Sequence, residues 1–529
     1  MSKFSFNKKY LFDHLYPIVI IIFSFFINWN YAKIGVFPVD TFLHYDSAYK
    51  ILNGEYPIKD YWVVSGVFVD FLQAFFFKLF GVNWYSYIVH SSLLNMALSI
   101  STFYFLIKLN LEKSSAFFYA ICFSVLAYTI SGTPFLDLHA TFFSLIAFYL
   151  IILALRNPEK KLNWFLIVFF FYISFLSKQV PASYLIIINT IIIFPYLLIN
   201  KHYKPIIIVL FSIIFFFFLT LFFLEILNIK FNLFYIQYLD YPRSIGSGRF
   251  DIFNISFEFL LNKYKFILIP IFILSFVKLK KLFTGKIKFY SIEFTIFLIL
   301  FFFCFCLIFH QQLTKNQIYI YFLVPLTFAF LQTELEKLKL NLNLKSILAY
   351  FIVFLVLIST IKYHIRFNET RKFHDLEKTD ITKYTDSSLL HKSLKGHLWV
   401  SPSYIGEPEN ELRILGKVKK NINQKKKNIM LVTHYLFLDS IIIKRINAPS
   451  RSHTIDGDSI PIINNKYFKY YKNYFKNKII KEKIEEVYFI KMEENIPTER
   501  FTNYIEEECY SRSEDNIFII FTLDIKCLD

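Results

Sequence analysis

The stretch "FPVDTFLHYDSAYKILNGEYPIKDYW", residues 37–62, decides how this chain is read. It follows an apolar run, "LYPIVIIIFSFFINW", and leads into another. Between them it holds Asp40, Asp46, Glu55 and Asp60, together with His44. The surroundings make that unusual. The 529 residues are 55% hydrophobic, 21% aromatic and only 19% charged. The apolar residues come in blocks of roughly 17–25, long enough to cross a hydrocarbon core of roughly 30 Å as helices. A soluble domain has no interior large enough to hide them. The quoted stretch is therefore a polar excursion between membrane helices.

About eleven spans are expected, near 14–32, 84–107, 114–131, 138–155, 163–177, 180–199, 205–228, 264–279, 290–309, 317–332 and 345–361. The first has a basic start and no small-x-small cleavage site, so it reads as an uncleaved membrane helix beginning in the cytoplasm. Alternate loops then collect the lysines and arginines, among them Lys108, Lys113, Arg156, Lys160, Lys161, Lys278, Lys280, Lys281 and Lys337. The formal charge of +18 is thereby a positive-inside signature, with no nucleic-acid partner called for. An odd number of spans puts everything after residue 361 outside. The expected protein is a polytopic α-helical membrane protein, multi-pass in the plasma (inner) membrane and in contact with the bilayer throughout. Residues 1–361 form its transmembrane domain, with a first outer loop at 33–83, and 362–529 form a small extracytoplasmic α/β domain.

The run 67–81, "VFVDFLQAFFFKLFG", is interrupted by Asp70 and Lys78 and predicts a helix lying at the interface. Residues 229–262, with Pro-Arg-Ser and Gly-Ser-Gly, predict a mobile loop. In the tail, "HLWVSP", "NIMLVTHY", "EVYFIKM" and "NIFIIFTLD" read as strands, and "ELRILGKVKKNINQKKK" as a helix. Of five cysteines, Cys509 and Cys527 lie in this tail and can pair if it is exported. "TIDGDSIP" at 454–461 resembles part of a calcium loop but lacks the later Glu, so a plain turn is the reading.

Within 37–62, residues 41–53 are helical in character, and Asn53-Gly54 is a helix stop. Tyr56-Pro57 fixes a turn, and Asp60-Tyr61-Trp62 brings the chain back with an aromatic anchor. This arrangement resembles the first outer loop of the GT-C glycosyltransferases that use polyprenyl-phosphate sugars, such as the protein O-mannosyltransferase-like and aminoarabinose-transferase-like enzymes. In those, an acidic pair follows the first span. A Gly comes about fourteen residues later, then a Pro-Tyr-Arg-Asp-like turn and an amphipathic stretch ending in Phe-Gly. Asp40, Gly54, "EYPIKDYW" and "FFFKLFG" stand at those places, and Thr41 stands where the second acid would.

The resemblance covers about 38–82 and implies a GT-C-like fold and sugar transfer from a polyprenyl-phosphate donor to a lipid, glycan or protein acceptor. It implies Asp40 as general base. A carboxylate at the membrane edge can take the acceptor's proton, while cations beside the leaving phosphate replace a general acid. The outward-facing cations are Lys178 in "LSKQVP", Arg243 and Arg249 on the 229–262 loop, and Lys315. His44, Asp46, Asp60, Asp137 and His310 are acceptor-side or auxiliary candidates. Asp137 reads equally as a helix N-cap or a second carboxylate. No cofactor is called for, and a divalent metal is left open. A transporter or flippase of lipid-linked glycans is the alternative reading. It would carry charged or Gly/Pro-broken segments at mid-membrane, and intramembrane charges are few here.

Overall fold

The structure, a computed structural model, describes residues 8–528 except 36–38, 129–130, 246–255, 315–319, 339–340, 371–375, 377–378, 452–458 and 494–497. The chain divides into two compact units. One comprises Met1–Ala32, Ile88–Leu219 and Asp251–Phe373, and the other Lys33–Tyr87, Thr220–Phe250 and His374–Asp529.

A helix lies at each of the eleven apolar blocks. Among the described residues, six helices are long and apolar enough to cross a membrane: Trp84–Lys108, Leu136–Arg156, Gln179–Ile199, Tyr203–Ile226, Ile292–Leu313 and Leu342–Glu369, the last continuing into a π-helical turn. Leu15–Tyr31, Lys113–Ala127 and Lys161–Ser177 are shorter apolar helices. Tyr203–Ile226 is apolar all round and exposes Ile207, Phe211, Phe218 and Phe222, a surface that hydrocarbon accepts and water does not. Leu136–Arg156 is the opposite case, buried along nearly its whole length. Buried polar side chains join the helices where apolar packing alone would leave their register loose. Asn28 Nδ2 donates to Ser91 Oγ at 3.2 Å, Ser92 Oγ at 3.1 Å and the Gly132 carbonyl at 3.1 Å.

The second unit is built on a four-stranded sheet in the spatial order Ile429–Val432, Glu486–Ile490, Phe518–Leu523, Tyr510–Glu514. The first pair is parallel and the other two pairs are antiparallel. The helices Pro408–Gln424 and Phe468–Lys481 belong to the same unit. Cys509 and Cys527 form a disulfide. "HLWVSP" does not join this sheet. Its Leu398–Trp399 pairs with Thr385–Asp386 in a separate two-stranded ribbon. Tyr510–Glu514, "YSRSE", is a strand that the apolar pattern did not disclose, because it is the exposed edge and reads as polar.

The first outer loop is part of this unit. Trp62 N donates to the Pro449 carbonyl at 3.1 Å, and Arg451 N donates to the Trp62 carbonyl at 3.0 Å. The Trp62 side chain enters the core with Tyr241, Met430, Val432 and Tyr471. Residues 231–245 are not a mobile loop. They form helical turns, and Gln237 donates to the Ile58 carbonyl at 2.9 Å and accepts from Val63 N at 3.0 Å. The Pro-Arg-Ser cue marked a change of direction, while the buried Tyr238 and Tyr241 supply the packing that holds it. The Gly-Ser-Gly part and residues 454–458 of the calcium-like run lie outside the described residues.

Beyond the parallel strand pair, Glu493 turns its carboxylate inward, accepting from Thr433 Oγ1 at 2.6 Å and His434 N at 2.5 Å. Burial, with Glu411's charge adding, pushes this carboxyl up to about 8. In the unfolded chain it would titrate near an ordinary value of about 4.3. Its stabilising contribution is therefore fully present below the unfolded value and is lost as the pH rises through about 8. Glu493→Gln removes that loss. Thermal unfolding of the variant at pH 8 should come a few degrees above wild type, with the gap closing at pH 5; a variant that melts lower at pH 8 would contradict this burial.

Candidate active site

Each landmark of the first loop is a structural one. Asp40 lies in the first turn of Val39–Leu52, where an acid complements the positive end of the helix. Tyr87 Oη donates to the Thr41 carbonyl at 2.6 Å and fixes this turn. The helix stops at Leu52, and Gly54 turns the chain with φ +82°, a left-handed value that glycine adopts without strain. Asp60 Oδ2 accepts from Tyr56 N at 2.9 Å and closes the "EYPIKDYW" turn. The helix Val67–Phe80 follows and ends at Gly81, whose N–H bonds the Phe77 carbonyl at 2.8 Å. Phe75, Leu79 and Phe80 are its exposed apolar face. Asp70 does not interrupt that helix but belongs to its buried face.

Two buried ionic networks brace this loop. His44 Nδ1 lies 2.7 Å from Asp70 Oδ1, and Arg451 bonds the other carboxylate oxygen. Arg451 also donates to Ser47 Oγ at 3.1 Å and to the Ser65 carbonyl at 2.5 Å. Burial lowers its guanidinium to about 10. Gly66 lies against both, since a Cβ there would sit 2.8 Å from Arg451 Nη1 and 2.8 Å from His44 Cε1. In the second network Lys50 Nζ lies 2.6 Å from Asp46 Oδ2 and 3.7 Å from Asp439 Oδ2. Burial pushes Asp439 up to about 7 against the pull of Lys50. Burial likewise raises Asp46. Lys50 is driven down by burial, yet its two carboxylates hold it above the ordinary lysine value. Outside these networks, Arg445 Nε lies 3.0 Å from Glu55 Oε1, and Lys478 Nζ donates to the Asp60 carbonyl at 2.5 Å.

His44, Asp46 and Asp60 are thus all engaged in holding the loop. Of the residues that hold it with them, Asp70 read only as an interruption of an apolar run, and Lys50, Asp439 and Arg451 were not singled out by the sequence. The i, i+4 spacing of Asp46 and Lys50 was the one readable signal. Arg451 lies about 400 residues from its partners, and no local pattern announces it.

The remaining candidates fall in the transmembrane unit. Lys178 follows the helix Lys161–Ser177, and its ammonium reaches both oxygens of Asp137, at 2.6 and 2.7 Å. His310 Nε2 lies 3.0 Å from Asp137 Oδ1. Asp137 is not an N-cap, because Phe135 holds that position and the carboxylate turns inward to the two bases. Three ionisable side chains from three helix ends meet here with little exposure. Buried charge at a membrane helix end makes the group a candidate for function. Arg243 lies exposed on the turn Tyr241–Ile245, and Arg249 and Lys315 fall outside the described residues.

Among the described residues, no group of three or more His, Cys, Asp or Glu could hold a metal ion. Thr41 stands where a second acid would, and no step is assigned to a metal.

No family model matches this chain, and no curated protein matches it. Eight chains of solved structure do. One is the crystal structure of ArnT from Cupriavidus metallidurans bound to undecaprenyl phosphate. It is 10% identical and aligns over 96% of this chain and 97% of its own, with a TM-score of 0.49.

Proposed function

We propose that this chain is an integral membrane glycosyltransferase of the GT-C kind, moving a sugar from a polyprenyl-phosphate donor to a hydroxyl or amine of a lipid, glycan or protein acceptor on the outer face. The observation that carries this reading is the first loop. Asp40, Gly54, the "EYPIKDYW" turn and the helix ended by Gly81 stand in the order and spacing of that family's loop, and each is a point where the backbone starts, turns or stops.

In the proposed reaction the acceptor heteroatom attacks the anomeric carbon and its proton passes to the Asp40 carboxylate. The bond from the anomeric carbon to the phosphate oxygen breaks, and polyprenyl phosphate leaves with the electron pair. Lys178 is the proposed partner of that phosphate, with Arg243 and Arg249 as further cations. Asp137, with His310 on its carboxylate, sets the position of Lys178. His44, Asp46 and Asp60 act through the loop and not on substrate.

Lys178→Gln tests the assignment. A single charge-assisted hydrogen bond to phosphate is worth about 2 kcal/mol, so kcat/KM for the donor should fall about 30-fold. The loss should be smaller with a donor whose phosphate carries a third ester and is therefore neutral. Equal loss for both donors, or none, would remove Lys178 from the site.

A further inference from the structure

Two helices of the transmembrane unit carry ionisable groups at both ends. Leu136–Arg156 has Asp137 in its first turn and Arg156 in its last. Ile292–Leu313 has Glu293 at one end and His310 at the other. At 1.5 Å per residue each helix is about 30 Å long, one hydrocarbon thickness. The Asp137–Lys178–His310 group therefore has a counterpart at the opposite membrane edge, and the proposed reaction leaves that counterpart unused.

That second group lines a cavity of about 200 Å³. Leu274, Phe297, Leu300 and Phe330 form its apolar wall. Arg156, Lys278, Glu293, Glu334 and Lys337 form its polar side. Lys278 lies 2.7 Å from Glu293 and 2.7 Å from Glu334. Lys281 lies 2.8 and 3.1 Å from the same two, and Lys337 lies 2.6 Å from Glu334. Arg156 bonds the Lys108 carbonyl and pairs with no carboxylate among the described residues. In the lining, two lysines and one arginine thus face two glutamates, a surplus of one positive charge (3 − 2), and Lys281 adds a further cation on the same glutamates from outside the lining. The cavity also reaches the apolar surface, since Ile292 lines it and is 37% exposed.

We propose that this cavity binds the phosphate headgroup of an anionic bilayer phospholipid. The excess cations meet the phosphate, and the apolar wall takes the first methylenes of the chains. Basic pockets between membrane helices favour such headgroups, each cation adding about a fivefold preference. The volume suits a headgroup and its neck and not a whole lipid, so the chains continue along the exposed side at Ile292. Free phosphate would satisfy the charge but leave the apolar wall uncovered.

The test uses the full chain reconstituted in phosphatidylcholine nanodiscs doped with phosphatidylglycerol, with retained lipid read by native mass spectrometry. Wild type should retain phosphatidylglycerol in preference to phosphatidylcholine. Arg156→Gln should retain about fivefold less, the worth of one cation at an anionic headgroup. Lys337→Gln, also at an exposed side chain, should behave likewise, so the result does not hang on one variant's folding. Inorganic phosphate should leave the retained phosphatidylglycerol unchanged. Unaltered retention in both variants, equal retention of phosphatidylcholine, or displacement by inorganic phosphate would each overturn the proposal.

Discussion

Asp40→Asn should slow the proposed sugar transfer about a thousandfold, the middle of the range for losing a general base, and leave the protein folded. The amide keeps the shape and hydrogen-bonding reach of the carboxylate but cannot take the acceptor's proton. With Asp40 as the proposed base for the acceptor, the loss should appear in kcat, with KM for the lipid donor little changed. Asp46→Asn serves as the contrast. Asp46 is buried against Lys50, so its replacement should be read in stability before activity. Transfer in membranes, measured beside the melting temperature of each variant, separates the two. Asp40→Asn at full rate would remove Asp40 from catalysis.

Arg451→Met costs the second unit about 3–5 kcal/mol, because it leaves Asp70 buried with only His44 opposite. Arg451→Lys does not restore it. A lysine offers a point charge where Asp70, Ser47 and the Ser65 carbonyl are met by the separate nitrogens of one planar fork. Adding Asp70→Asn to Arg451→Met should recover part of the loss, since the stranded charge is then gone. Thermal unfolding gives the magnitudes. Limited proteolysis gives the place, with new cuts expected in both 33–87 and 374–529, because Arg451 bonds the first loop from the C-terminal part of the same unit. Cuts confined to one of those segments would contradict the shared network. The C-terminal part thereby has a physical task, which is to hold the Asp40 loop in shape.

The helices were readable because each apolar block is long, and its length and composition alone state the environment it needs. The turn at Gly54 and the stop at Leu52 were readable for a local reason: residues within a few positions of each other decide them. The pairing of Cys509 with Cys527 was legible only as a possibility, since two cysteines share one polar tail, and the structure forms it. What escaped is long-range or polar. Tyr510–Glu514 is an edge strand whose pairing satisfies its backbone while its side chains face water. Asp70 read only as an interruption of an apolar run within an interfacial helix, and the distant Arg451 explains why a charge can be buried there. Residues 231–245 read as loop from Pro and Arg, although Gln237, Tyr238 and Tyr241 are buried within the second unit. The Asp137–Lys178–His310 group was anticipated as three separate candidates, and their contact follows from helix packing that no spacing encodes.

The most direct test is the fate of the donor. Purified chain in a bilayer, given a polyprenyl-phosphate sugar and an acceptor, should release free polyprenyl phosphate in step with sugar appearing on the acceptor, and Asp40→Asn should stop both. A donor that reaches the other leaflet intact, with no polyprenyl phosphate freed, would contradict the reading and make the chain a carrier of lipid-linked glycans.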